Sequence, residues 1–181
     1  MKHTHSPSTE SHRRSSPKQV ACAIVTISDT RTLETDESGK LAREILEKAG
    51  HQVVFYRIVR DEARQIESLL DDLAGDPKVE AILTNGGTGI SQRDTTFEVI
   101  TRWIERPLPG FGELFRALSY EEIGAAAMLS RAAAGITKGK ALFATPGSTA
   151  AVRLALERLI APELGHVVGE IRKGTEKSHG H

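Results

Sequence analysis

The sequence predicts an α/β domain whose mostly parallel sheet is covered by helices on both faces. From residue 20 to about residue 173, apolar runs of five to eight residues alternate with segments of helical period. Strands and helices in turn imply parallel pairing through crossovers. The runs are apolar nearly throughout rather than at every second position, as in strands buried on both faces.

The first strand covers residues 20–28 and the first helix residues 37–49, where Leu41, Ile45, Leu46 and Ala49 form one stripe ahead of Gly50. The second strand covers 52–59. Helix two opens near Asp61, places Ile66, Leu69, Leu70 and Leu73 on one face and ends before Gly75-Asp76-Pro77. Strand three covers 79–84. Helix three follows a glycine loop and carries Phe97, Ile100, Trp103 and Ile104. Breaks at Pro107, Pro109 and Gly110 precede short helical pieces expected near 113–118 and 123–133. Residues 135–139 turn into strand four, 140–145. A long helix with Val152, Leu156, Leu159 and Ile160 closes the core, restarted or kinked at Pro162 and running to about Lys173.

With 181 residues, 39% of them apolar and 27% charged, the chain suits one globular domain. Residues 20–173 form that domain; residues 1–19 and 174–181, rich in Ser, His and basic side chains, are expected as disordered tails. The net charge of zero conceals an uneven distribution. Removing the seven cations and two anions of residues 1–19 and 172–181 from 24 of each leaves 17 cations against 22 anions in between. An acidic folded part is a poor partner for nucleic acid, whose phosphates dominate affinity. Apolar runs such as residues 21–27 fall far short of the roughly 20 residues that span a bilayer, and the first residues lack a secretory signal's apolar core, so a cytoplasmic location is expected. The single cysteine, Cys22, excludes intrachain disulfides and reads as a small buried hydrophobe.

The unusual residues follow strands. Ser28-Asp29-Thr30 comes after strand one, Asn85-Gly86-Gly87-Thr88-Gly89 after strand three, and Pro146-Gly147-Ser148-Thr149 after strand four. In a parallel sheet these carboxyl ends share the edge where ligands bind. Glycine N–H groups, the Thr88 hydroxyl and the start of the next helix suit a phosphate, although the loop matches neither the dinucleotide fingerprint nor the Walker A pattern. The same glycines suit a tight turn needed only for packing. Asp94 likewise has two readings, the N-cap of helix three or a carboxylate holding Mg²⁺ against phosphate oxygens, and Asp61 before helix two shares that choice. Arg93 reads as a surface charge or a cation over the substrate phosphate.

Taken together these residues resemble the MoaB/MogA family of molybdenum cofactor biosynthesis proteins. The resemblance rests on T-N-G-G-T-G-I-S-Q-R-D-T-T-F-E at 84–98, I-S-D at 27–29, P-G-F-G-E at 109–113, L-S-R at 129–131 and P-G-S at 146–148, and it covers residues 20–164. Residues 110–124 and the close A-T-P-G-S-T resemble the MoaB branch more than the MogA branch.

The resemblance implies a three-layer α/β/α sandwich that binds molybdopterin and assembles into a homo-oligomer, a trimer or a hexamer. Active members transfer the adenylyl group of Mg-ATP to molybdopterin, giving adenylated molybdopterin and pyrophosphate for a downstream molybdate-inserting enzyme. By motif the family's functional aspartates fall on Asp61 and Asp94, 33 positions apart, as catalytic residues and Mg²⁺ ligands. Binding residues carried over are Ser28, Asp29, Gly86, Gly87, Thr88, Gly89, Gly110, Ser119, Ser130, Arg131, Pro146, Gly147 and Ser148. The alternative is a protein of the same pathway that carries molybdopterin without chemistry; a generic nucleotide-binding module is a third reading.

Overall fold

A computed structural model describes residues 16–91 and 94–178; Arg93 and most of the two expected tails lie outside the described residues. The strands are β1 (Ala21–Ile27), β2 (Gln52–Val59), β3 (Ala81–Gly86), β4 (Arg106–Pro107), β5 (Ala133–Thr137) and β6 (Lys140–Thr145). The helices are α1 (Glu37–Lys48), α2 (Ala63–Gly75), α3 (Thr96–Trp103), α4 (Pro109–Ile123), α5 (Thr149–Ala155) and α6 (Ala161–Ser178), with a 3₁₀ segment at Gly124–Leu129 and a π turn at Leu156–Ile160.

One six-stranded sheet runs in the order β2-β1-β3-β6-β5-β4. Its first four strands are parallel, and the β5 and β4 edge is antiparallel. Burial explains the expected apolar runs: every residue of β6 and nearly every residue of β1 and β3 is buried, whereas outer β2 alternates between exposed and half-buried. Each face has its own core. Leu46 of α1, Phe115 of α4 and Val152 of α5 pack on one, and Ile66 and Leu70 of α2 with Ile100 of α3 on the other. The expected three-layer α/β/α sandwich is therefore what the chain forms. Among the described residues no helix is long and apolar enough to cross a membrane.

The segment after α3 departs from expectation. One continuous helix, α4, takes the place of the first helical piece, a 3₁₀ segment stands where most of the second was expected, and residues 133–137 form β5 where the end of that piece and a turn were expected. Alanine-rich A-A-A-G-I-T favours helix locally, but pairing with β6 overrides that preference. The hairpin closes on Lys138 (φ +44°) and Gly139 (φ +76°), a two-residue turn whose positive φ values match the twist of paired strands. At the other junction Pro162 has no N–H to give to the carbonyl four residues back, and the chain widens into the π turn just before it. The last helix runs on to Ser178, past the expected end at Lys173, and Ser16 and Pro17 already lie against its Gly165 and Gly169.

Candidate active site

Strand order alone selects a crevice. From β1 the chain passes through α1 to β2 on one side; from β2 it passes through α2 back across β1 to β3, and the two helices cover opposite faces. Connections thus diverge between β1 and β3, where open α/β sheets bind ligands beyond the carboxyl ends. Register aligns Ile27 with both Val59 and Gly86, and Asn85 with Thr145, so the loops after the four parallel strands emerge along one edge. All three loops singled out in the sequence lie there, joined by Asp61 after β2.

Gly86 (φ +95°) and Gly87 (φ +63°) occupy the left-handed region. A Cβ on Gly86 would overlap the Ile27 carbonyl oxygen, so the packing role expected of the loop holds at this residue. At Gly89 the neighbour is different. A Cβ there would overlap the Asp94 carboxylate, which lies directly against the glycine loop.

Neither aspartate is a helix cap. Helix α3 begins at Thr96 with Thr95 in the cap position, and α2 begins at Ala63 with Glu62 there; neither of these side chains caps its helix by a hydrogen bond. Asp94 Oδ2 instead accepts the Ser91 N–H at 2.8 Å. Hydrogen bonding to Ser91, with a smaller contribution from the Arg131 charge, holds the Asp94 carboxyl below the usual carboxylate range and keeps it ionised at neutral pH. Asp61 accepts the hydroxyl of buried Thr96, two residues beyond Asp94, and its N–H donates to Asp29 Oδ1 at 3.2 Å. The Thr96 bond clamps the β2 loop to the start of α3.

Other expected site residues hold backbone. Ser28 Oγ accepts the N–H groups of Thr30 and Arg31 at 3.3 and 3.2 Å, fixing the turn after β1. Ser148 caps α5, accepting the Ala151 N–H at 3.2 Å, and Gly147 packs on Gly86. Arg131, with half-buried Ser130 before it, donates from Nε to the Thr88 carbonyl at 3.0 Å and from its terminal nitrogens to the Gly89 carbonyl and the Glu98 carboxylate, while lying 4.6 Å over the Phe97 ring. That guanidinium braces the glycine loop. Gly110 and Ser119 lie on α4, the first exposed and the second buried, and among the described residues no hydrogen bond joins either to the loops.

Behind the crevice sits a buried polar cluster that the motifs did not reveal. Asp36, fully buried, accepts the Gly39 N–H and the Ser38 hydroxyl at 3.0 Å each, the Tyr56 hydroxyl at 2.6 Å and Arg31 Nη1 at 3.3 Å. Ser38 also bonds Asn85 Oδ1 at 3.0 Å, and Asn85 donates to Thr26 Oγ1 at 3.0 Å. Arg31 Nη2 reaches the Gly147 carbonyl at 3.0 Å. The one hint in the sequence is the position of Asp36 at the N-cap of the first helix.

The two carboxylates that the glycine loop and the β2 loop could offer a metal are Asp94 and Asp61. Among the described residues no group of three or more His, Cys, Asp or Glu side chains converges as a cage. Asp61 and Asp94 fit Mg²⁺, which takes one or two carboxylates and fills the rest of its shell with substrate phosphates and water.

An open α/β sheet with its glycine loop and two acidic loops at the switch point defines a ligand-binding domain of the doubly wound class. Residues 23–166 match the family described as "Probable molybdopterin binding domain". A Halalkalibacterium halodurans protein named molybdenum cofactor biosynthesis protein B is 58% identical over 167 residues, covering 92% of this chain and 98% of that protein. A crystal structure of a molybdenum cofactor biosynthesis protein B superposes with a TM-score of 0.84 at 51% identity, over 87% of this chain and 98% of that one. The tungsten cofactor synthesizing protein MoaB from Pyrococcus furiosus follows at 0.77 and 37%, over 86% and 99%. The chain belongs to the MoaB/MogA molybdenum cofactor biosynthesis family.

The buried cluster makes stability depend on pH. Burial alone would raise the Asp36 pKa, but hydrogen bonds from Thr26, Tyr56, Gly39 and Ser38 together bring it below the ordinary value. A depressed carboxyl stabilises the fold above its unfolded pKa of about 3.9 and loses that contribution as pH falls through the folded value. Urea midpoints should therefore fall between about pH 5 and pH 3. Asp36→Asn should be less stable at pH 7 and show a shallower fall; parallel profiles for the two proteins would contradict this.

Proposed function

We propose that this chain binds molybdopterin at the carboxyl edge of β1, β3 and β6 and adenylylates it with Mg-ATP. The observation that carries the reading is the convergence of Asp61 and Asp94 on the glycine loop, one locked by Thr96 and the other held ionised against Gly89. A carrier needs pterin contacts but has no use for two carboxylates in that position.

In this reaction a phosphate oxygen of molybdopterin attacks the α-phosphorus of ATP. The new P–O bond forms as the bond to the β-phosphate oxygen breaks, and pyrophosphate leaves. The attacking oxygen is already ionised, so no general base is required; the site's task is to bring two polyanions together and orient them in line. The glycine loop's N–H groups and the uncapped start of α3 hold phosphate oxygens. Asp61 and Asp94 would hold Mg²⁺ together with the nucleotide, and the ion would supply neutralisation of the charge on the transferring phosphate. Arg131, bonded to the carbonyls of Thr88 and Gly89, keeps the loop from shifting as charge moves. Adenylated molybdopterin then passes to the molybdate-inserting enzyme.

Self-association belongs to the same reading. Tyr120 and Ile123 of α4, with Met128 and Leu129 of the 3₁₀ segment, are large apolar side chains left exposed within ten residues, Met128 at 83%. A second copy covering this face would bury them. Sedimentation velocity should give the mass of a trimer or a hexamer, and a monomer at micromolar concentration would remove this part of the proposal.

Asp94 supplies the test of chemistry. Asn can still accept the Ser91 N–H, so Asp94→Asn should fold with a melting temperature within about 4 °C of wild type. It should bind molybdopterin yet adenylylate it at least about 10²-fold more slowly, because the lost negative charge acts on the transition state. Near wild-type turnover in the variant would shift the role to Asp61 alone. Wild-type protein that binds molybdopterin but forms no product with Mg-ATP would leave the carrier.

A further inference from the structure

A second cavity, of about 470 Å³, opens on the other side of the β1 loop, around the carboxyl end of the outer strand β2. Three arginines line it: Arg31, Arg57 and Arg60. In a domain whose middle carries more anions than cations, three guanidinium groups in one recess need a reason.

Arg31 is not a loose surface cation. Nη1 donates to buried Asp36 and to Ser38, and Nη2 to the Gly147 carbonyl. These bonds occupy three of the five N–H groups of a guanidinium, and the side chain keeps about a third of its surface exposed. The remaining donors are held in a fixed orientation before any ligand arrives, which lowers the entropy cost of binding. Arg57 and Arg60 are both exposed, and among the described residues neither has a carboxylate partner; Arg57 only lies over the Phe55 ring at 5.2 Å. Cations left unpaired around a recess are available to a ligand.

Position gives the ligand its chemistry. Arg60 directly precedes Asp61, and Asp29, which also lines the cavity, accepts the Asp61 N–H at 3.2 Å. The cavity therefore borders Asp61, one of the two carboxylates that would hold Mg²⁺ against the reacting phosphate. A group in both places at once is a chain of phosphates.

We infer that this cavity is the subsite for the β- and γ-phosphates of the nucleoside triphosphate, with Arg31 as its preorganised anchor and Arg57 and Arg60 as its outer contacts. The inference rests on the nucleotide-dependent reading above and adds where the leaving group sits. The arginines would bind the departing pyrophosphate and offset the charge that develops on it. The same chemistry would also retain free pyrophosphate after transfer.

Titration calorimetry on the full chain tests this without turnover, using inorganic pyrophosphate, ATP and AMP in the presence of Mg²⁺, and molybdopterin separately. The double variant Arg57→Gln/Arg60→Gln removes two exposed cations that hold no backbone and should fold normally. Wild type should bind pyrophosphate and ATP, and the double variant should bind both at least about tenfold more weakly, with AMP and molybdopterin affinities within about twofold. Arg31→Lys, which keeps the charge but loses the fixed fork, should weaken pyrophosphate to an intermediate degree. Equal pyrophosphate affinity in wild type and the double variant would overturn the subsite, as would no binding by wild type or an equal loss for AMP. Absence of adenylylated product, by contrast, would count against the proposed reaction and leave the pyrophosphate titration to be judged by itself.

Discussion

The carboxyl edge of this sheet depends on one buried carboxylate. Asp36 is out of contact with solvent, and a charge in that position is tolerated only when hydrogen bonds replace the lost water. The replacements come from separate parts of the chain. Gly39 and Ser38 belong to α1, Thr26 to β1, Tyr56 to β2 and Arg31 to the loop after β1. Ser38 carries the connection to Asn85 of β3, and Arg31 carries it to Gly147 after β6. Every parallel strand is tied to the same ion, β1 and β2 directly, β3 through Ser38 and β6 through Arg31.

This arrangement separates two demands that the proposed adenylyl-transfer site would have to meet together. Loops have to be close enough to touch one substrate, yet their own charges must not collapse onto one another. Glycine answers the first at Gly86, where β1 and β3 meet with no room for a side chain. The second is answered by giving each acidic group its own donors. Asp94 has the Ser91 N–H, Asp61 the Thr96 hydroxyl, Glu98 the Arg131 guanidinium and Asp36 its buried set. Among the described residues these acidic groups are oriented by hydrogen bonds before any ligand arrives, which is the condition under which electrostatic stabilisation costs least.

Much of this was legible in the sequence, for identifiable reasons. Strands β1, β3 and β6 stood out because both faces are buried and the residues are apolar throughout; helices α1 and α2 stood out by their stripes. The placement of three loops on one edge followed from parallel topology alone. Strand β5 was hidden because alanine reports helix preference locally while the pairing that decides its state is with β6. Asp61 and Asp94 looked like caps because Asp near a helix start ordinarily is one, and only the Ser91 and Thr96 contacts show otherwise. The Asp36 cluster and the arginine-lined cavity join residues distant in sequence, such as Arg31 and Gly147, so no local pattern encodes them.

Hydrogen exchange with and without molybdopterin addresses the central claim most directly, because it maps the ligand onto the edge without requiring catalysis. Slower exchange should be confined to residues 27–31, 84–98 and 145–151, with the far side of the sheet unchanged. The contradicting result is protection centred instead on the groove of about 540 Å³ at the opposite edge, between β4, β5 and α6, where Leu108, Ile136, Val167 and Ile171 present an apolar lining.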